Sequence, residues 1–307
     1  MVRSKKYEGN VKNLRFIQSG DGTKWLIEKE YIYPVVQNPE NYRNISIDIK
    51  SIEDFVVIIN EPRDKIKGKL VEKYILHGEQ KKYGMGKNRN LIPAKTKTCS
   101  SRHYWCQLPD IKPSRILWQK AFDIYHRHYL VSDYVHANQR FYHIYPRDAG
   151  YIEIIVACLN SPLISLYMEF QRVAMGLGAI EATVEEVKQI LIVNPKVVKA
   201  SIRSRLSKAL NRLGQRGVDS IFKEFGTFSP EEFTLDKVKP DRRELDKIIM
   251  GEILGLTDEE QLEVYRAVID LVKSRIERAK SVKSNKTIEG IDMDALKNAV
   301  IERIKRE

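Results

Sequence analysis

Asp64 followed by Glu79-Gln80-Lys81 sets an acid, a gap and an E-x-K tripeptide in one stretch, the arrangement with which metal-dependent nucleases hold Mg²⁺ and position water. That chemistry needs both carboxylates and the amine on adjoining strands, and His77-Gly78 interrupts any strand leading to Glu79. A magnesium-dependent DNA endonuclease using Asp64, Glu79 and Lys81 is therefore the alternative reading. Cys99 and Cys106 flank His103, but zinc sites bring a second close pair of ligands, and Cys158 is the only other cysteine. No metal is expected. Three cysteines without a C-x-x-C pair also argue against a disulfide framework. The phosphate-binding G-x-x-x-x-G-K, the G-x-S-x-G elbow and H-E-x-x-H are all missing. Gly84-x-Gly86 and Gly176-x-Gly178 lie outside any strand-turn-helix and read as turns. Four of the six histidines, His126, His128, His136 and His143, fall among aromatic strands and read as core or surface imidazoles.

Charge is more informative. Formal net charge is +12, yet between Pro62 and His128 there are 16 Lys/Arg against 5 Asp/Glu, which leaves 37 against 36 for the remainder. One segment carries the imbalance. From Gln80 to Pro109 the chain holds Lys81, Lys82, Lys87, Arg89, Lys95, Lys97 and Arg102 and no acid. Glycines and small polar residues in Tyr83-Gly84-Met85-Gly86-Lys87-Asn88-Arg89-Asn90 allow close approach to phosphates and base edges. Ten of the 27 aromatic residues then fall between His103 and Tyr145, and cations interleaved with aromatics are a nucleic-acid footprint. Phosphate grip is assigned to Lys81, Lys82, Lys87, Lys95 and Lys97, and the planar forks of Arg89 and Arg102 suit guanine. Arg102 has a second candidate role, tying its loop to the core beside Trp105. Arg115 and Lys120, on the strand region that follows, complete the DNA-binding set.

These residues need elements to hold them. Trp25–Glu28 and Phe55–Ile59 read as strands, a helix is predicted from about Asp64 to Tyr74, and Arg115–Trp118 and Phe141–Tyr145 alternate as strands. From Gly150 the period becomes helical at Ile152, Ile155, Val156 and Leu159, and Asn160-Ser161-Pro162 starts a second helix. Thr183 and Glu186 form a capping box, followed by a predicted strand at Ile190–Val193. Past Pro195 the chain reads as helical. Ile202, Leu206, Leu210 and Leu213 make one stripe; Leu245, Ile248, Ile249 and Ile253 lead to Gly255; Thr257 and Glu260 cap a helix carrying Tyr265, Val268, Ile269, Val272 and Ile276. Ser281 to Gly290 reads as a linker before an amphipathic tail with Leu296, Val300 and Ile304. The expected class is α+β: a β-rich domain over 1–195 and a helical domain over 196–307. No apolar run approaches the roughly 18 residues of a membrane span, and the start lacks a signal-like apolar segment, so a cytoplasmic address is expected.

The segment Thr98-Cys99-Ser100-Ser101-Arg102-His103-Tyr104-Trp105-Cys106-Gln107-Leu108 resembles the target-recognition region of adenine-specific DNA methyltransferases of restriction-modification systems, the TaqI-like specificity domains. Further similarities follow in order: Ile75-Leu76-His77-Gly78-Glu79 before it, then Lys112-Pro113 with Trp118, Asn138-Gln139-Arg140-Phe141-Tyr142-His143-Ile144 before Pro146, and Leu159-Asn160-Ser161. Arg243-Glu244-Leu245-Asp246, Leu254-Gly255-Leu256-Thr257, Val264-Tyr265, Arg275 and Ala279-Lys280-Ser281 are similar to the helical tail of those enzymes, so the resemblance runs from about Trp25 to Ser281. Cys106 stands where the family usually carries Tyr or Trp. The catalytic half has no counterpart: Asn38-Pro39-Glu40 and Asn194-Pro195-Lys196 lack the second proline and the aromatic of the N-P-P-Y tetrapeptide that holds a flipped adenine. The resemblance thus implies a subunit or fragment that recognises double-stranded DNA without transferring methyl groups. S-adenosylmethionine and catalysis would reside in a separate methyltransferase chain docked on the helical tail.

Overall fold

The computed structural model describes residues 2–3, 12–82, 90–171, 173–174 and 178–284, and the fold is α+β. Two compact units emerge: the first comprises Met1–Tyr42, Ser46–Leu117 and Leu130–Tyr145, the second Arg43–Ile45, Trp118–Tyr129 and Pro146–Glu307. The boundary expected at residue 195 and the division into compact units therefore do not coincide.

The first unit holds a nine-stranded mixed sheet, apart from Trp118, Gln119 and Tyr129 at strand ends, which are grouped with the second unit. Its order is β10 (Phe141–Ile144), β7 (Ser114–Gln119), β9 (Tyr129–Ala137), β4 (Ile32–Val36), β6 (Asp54–Val57), β1 (Val2–Arg3), β2 (Leu14–Ser19), β3 (Lys24–Glu28), with β5 (Ser46–Ile47) also on β9. The β2–β3 hairpin turns at Gly22, φ +84°, where the Asp21 carboxylate accepts from the Thr23 backbone N–H at 3.0 Å. Register Ile17↔Trp25 follows, with Ile17 and Ile27 buried. β4 runs antiparallel to β6 and parallel to β9.

Helices α1 (Arg63–Ile66) and α2 (Leu70–Gln80) replace the single predicted helix. Gly68 separates them with φ +81°, a left-handed conformation that glycine adopts without a Cβ penalty. The N-terminus of α2 is closed from a distant strand: the backbone N–H groups of Leu70 and Val71 donate to the Glu28 carboxylate at 2.6 and 3.0 Å. Ile66, Val71 and Ile75 bury against Ile17, Ile27, Ile32, Phe55 and Val57, forming the core of this unit.

The second unit is mainly helical. A small sheet orders β11 (Val173–Ala174), β12 (Ile180–Glu181) and β8 (Ala121–Phe122). Helix α4 (Ile152–Leu159) is buried at every position except Glu153, so it is a core helix rather than a surface stripe. It is followed by α5 (Pro162–Gln171), α6 (Val184–Gln189), α7 (Ala200–Gly214), α8 (Ile221–Phe225), α9 (Pro240–Asp246) and α10 (Asp258–Ser284). Both capping boxes form: Thr183 with Glu186, and Thr257 with Glu260. Between α9 and α10 the chain makes a π-helical segment, Lys247–Ile253, and reverses at Gly255, φ +75°.

Two expectations are corrected. Ile190–Val193 is not a strand: its β-branched residues find no partner strand, and Leu191 is 89% exposed. Ser281 is not the start of a linker, because α10 continues through Ser284. The predicted tail at Leu296, Val300 and Ile304 lies outside the described residues. Among the described residues no single helix is long and apolar enough to cross a membrane.

Candidate nucleic-acid interface

Around α2 three residues of the 98–108 segment, Tyr104, Trp105 and Cys106, join the core of the first unit. Tyr104 is buried and donates its hydroxyl to the Glu61 carbonyl at 2.5 Å, with the Arg63 guanidinium 5.5 Å from its ring centre. Trp105 packs on α2 and donates its indole N–H to the Ile75 carbonyl at 3.0 Å. This approach requires the glycine at position 78, since a Cβ there would sit 1.9 Å from the indole ring. Gly78, which breaks a strand pattern in the sequence, is thus a helical residue that admits a tryptophan. Trp25 meets Tyr74 edge-on at 5.5 Å and His77 at 4.9 Å, completing an aromatic wall along the helix.

The turn after α3 (Lys97–Ser100) is closed by Gln107. Its side-chain oxygen accepts from the His103 N–H at 2.9 Å, and its carbonyl accepts from Arg102 Nη1 at 2.8 Å. The bond from Arg102 closes its own loop. Arg115 is likewise engaged, donating Nε–H to the Val131 carbonyl at 3.1 Å across the sheet. Lys81 sits 3.3 Å from Asp21, whose carboxyl is held well below its usual range by the Ser19 hydroxyl, the Thr23 N–H and Lys81 itself. Lys82, Lys95 and Lys97 are different: all three are exposed and make no ion pair among the described residues. Lys120 belongs to the second unit, where its carbonyl accepts from Ala182. Lys87 and Arg89 lie outside the described residues. Neighbouring lysines thus divide, with Lys81 bound to the hairpin turn and Lys82 open to solvent.

The endonuclease arrangement is corrected. Asp64 lies on α1 and Glu79 on α2, both helices rather than adjoining strands, and Glu79 is paired with Arg63. Lys81 is turned to Asp21. Among the described residues no group of three or more His, Cys, Asp or Glu is gathered so as to hold a metal, and burial pushes the Cys106 thiol up to about 12. Residues 38–40 and 194–196 do not fit an adenine-binding tetrapeptide either. Each asparagine caps a 3₁₀ turn, Asn38 accepting from Glu40 N–H at 3.3 Å and Asn194 from Lys196 N–H at 3.1 Å.

The second unit contains buried polar contacts that local sequence does not disclose. Arg275 on α10 reaches Glu169 on α5 through two hydrogen bonds, at 3.0 and 2.7 Å, and donates to the Asp123 carbonyl at 2.7 Å. Asn160 accepts from His128 N–H and donates back to the His128 carbonyl, both at 3.0 Å, fastening this strand region to the α4–α5 junction. Burial lowers the imidazole of His126 to about 4 and that of His128 to about 3, so both are neutral structural groups. Separation in sequence hid these pairs; the only local signal was a charged Glu169 amid the apolar residues of α5.

No known protein family and no curated protein matches this chain. Its structure is similar to that of the type IIG restriction endonuclease BpuSI, with a TM-score of 0.55 and 12% identity over 82% of this chain and 27% of that one. The chain spans about a quarter of that protein's length, and the likeness is one of fold.

Proposed function

We propose that this chain is the DNA-recognition part of a restriction-modification system, which engages a target site in double-stranded DNA and leaves methyl transfer to a separate catalytic chain. The observation that carries the reading is the fold it shares with a restriction endonuclease across 82% of its own length. Two further features support it. Tyr104, Trp105 and Cys106 of the segment that resembles TaqI-like target-recognition regions, Thr98 to Leu108, pack with α2 in one core, Lys95 and Lys97 precede the segment, and these two and Lys82 are exposed with no ion pair among the described residues. These lysines supply sequence-independent phosphate contact. Arg102 serves recognition indirectly, by holding the turn. S-adenosylmethionine is assigned to the partner, because the catalytic half that the resemblance calls for has no counterpart in this sequence.

The test is equilibrium binding of the full chain to a pool of duplexes at about 50 mM salt, followed by selection of the retained sequences. Retention that sharpens to one sequence class is expected, with no methyl incorporation when S-adenosylmethionine is supplied to this chain alone. Absence of any duplex binding at low salt overturns the proposal.

A further inference from the structure

The sheet of the first unit exposes a row of rings that the lysine group does not use. Strand geometry sets Tyr134 and His136 on one side of β9, with Ser132, Asp133 and Tyr134 exposed in its middle between the buried Val131 and Val135. His136 meets Tyr33 of β4 edge-on, ring centres 5.6 Å apart. From β10, His143 Nε2 accepts the Ala137 backbone N–H at 3.1 Å, which brings this second imidazole to the end of β9. Its ring is nearly parallel to that of Tyr145, at 11° and 6.3 Å. Tyr33, Tyr134 and Tyr145 remain 40%, 54% and 53% exposed.

Rings held for core packing face inward; Tyr33, Tyr134 and Tyr145 are exposed, His136 and His143 are half-buried among them, and polar contacts hold Tyr145 and His143. Tyr145 donates its hydroxyl to the Lys112 carbonyl at 2.6 Å. His143 is locked by the bond from Ala137, and burial lowers it to about 4, so its face stays neutral and π-rich. The exposed Arg140, in the β9–β10 turn, donates from Nη1 to Asn38 at 2.8 Å, and Lys112 is exposed beside Tyr145. Asp133 directs its carboxylate back to the Tyr134 N–H at 2.7 Å. The row consists of tyrosine and histidine with cations at its margin, not of leucine and methionine, and the chain as a whole is cationic. Flat amphipathic faces with nearby positive charge fit bases on a phosphate backbone rather than an apolar protein partner.

We infer that Tyr33, His136, His143 and Tyr145, flanked by Tyr134 and Arg140, form a stacking platform for unpaired bases, so that the chain binds single-stranded DNA at a site other than its duplex-gripping lysines. This rests on the proposed function only in taking DNA as the ligand. The full-length chain is titrated by fluorescence anisotropy with an oligothymidylate of about twenty nucleotides and, separately, with a hairpin duplex. Tyr33→Ala and Tyr145→Ala are each expected to lower single-strand affinity about tenfold and leave duplex affinity unchanged. Tyr145→Phe, which keeps the ring, retains binding, and circular dichroism verifies that each variant is folded. The inference is overturned if the unaltered chain ignores the oligothymidylate, if the alanine variants bind it normally, or if both ligands weaken together. Loss of duplex binding alone, with the single-strand pattern intact, sinks the proposed function and leaves this one standing.

Discussion

Replacing Lys82, Lys95 and Lys97 together by alanine isolates the electrostatic part of duplex binding. All three side chains are exposed and make no ion pair among the described residues, so their removal should change stability by less than about 0.5 kcal/mol apiece. Each lysine on a phosphate contributes about 0.9 to the slope of log affinity against log salt, and the triple variant should flatten that slope by about 2.7. If roughly six phosphates are contacted in all, the unaltered chain loses affinity roughly a thousandfold between 50 and 200 mM salt. With three contacts removed, the loss over the same range shrinks to about 40-fold. Anisotropy titrations of a labelled duplex at four salt concentrations give both slopes. Lys81→Ala is the internal control, because its amine is 3.3 Å from Asp21 and its removal should leave the slope nearly intact. An unchanged slope in the triple variant, or equal flattening by Lys81→Ala and Lys82→Ala, refutes the division between bound and open lysines.

Gly78→Ala places a methyl group 1.9 Å from the Trp105 ring, so the indole must move; chemical denaturation should show a loss of about 3 kcal/mol, and an unaltered midpoint contradicts the packing. Arg275→Ala removes the two charged hydrogen bonds to the buried Glu169 carboxylate and should cost about 3 kcal/mol in the same assay, part of it recovered in an Arg275→Ala/Glu169→Gln double variant. Burial raises the Asp246 carboxyl to about 7 in the folded chain, above its unfolded value of about 3.9. The fold therefore holds an extra proton between those values, and stability from this group declines as pH rises from about 4 through 7. Asp246→Asn, which can still accept from the Tyr265 hydroxyl, should gain on the unaltered chain by on the order of 3 kcal/mol at pH 8, and parallel melting curves between pH 5 and 8 would count against this.

What could be recognised from the sequence was what local rules govern. The strands at Trp25–Glu28 and Arg115–Trp118, the two capping boxes and the stripe Leu206, Leu210, Leu213 each rest on period or on side-chain-to-backbone bonds within four residues. Where a distant partner decides, the local pattern misled. Glu28 caps a helix 42 positions onward, Arg275 reaches back 106 positions to Glu169, and Ile190–Val193 has strand-forming residues but no neighbouring strand. The same limit applies to the candidate site. A basic stretch was visible, but whether Lys81 or Lys82 is available to a phosphate depends on a hairpin turn some sixty residues earlier, at Asp21.

The wall that Trp25 and Trp105 build along α2 gives the molecule its own optical reporter. Only three tryptophans exist in the chain, and the third, Trp118, is fully buried in the other unit, stacked on His128 at 3.8 Å. Emission from positions 25 and 105 therefore senses events at the end of α2, next to Lys82, while position 118 supplies a constant background. Oligonucleotide binding to that region can be followed by intrinsic emission on unlabelled protein, and single Trp→Phe replacements tell which part of the surface a ligand has reached.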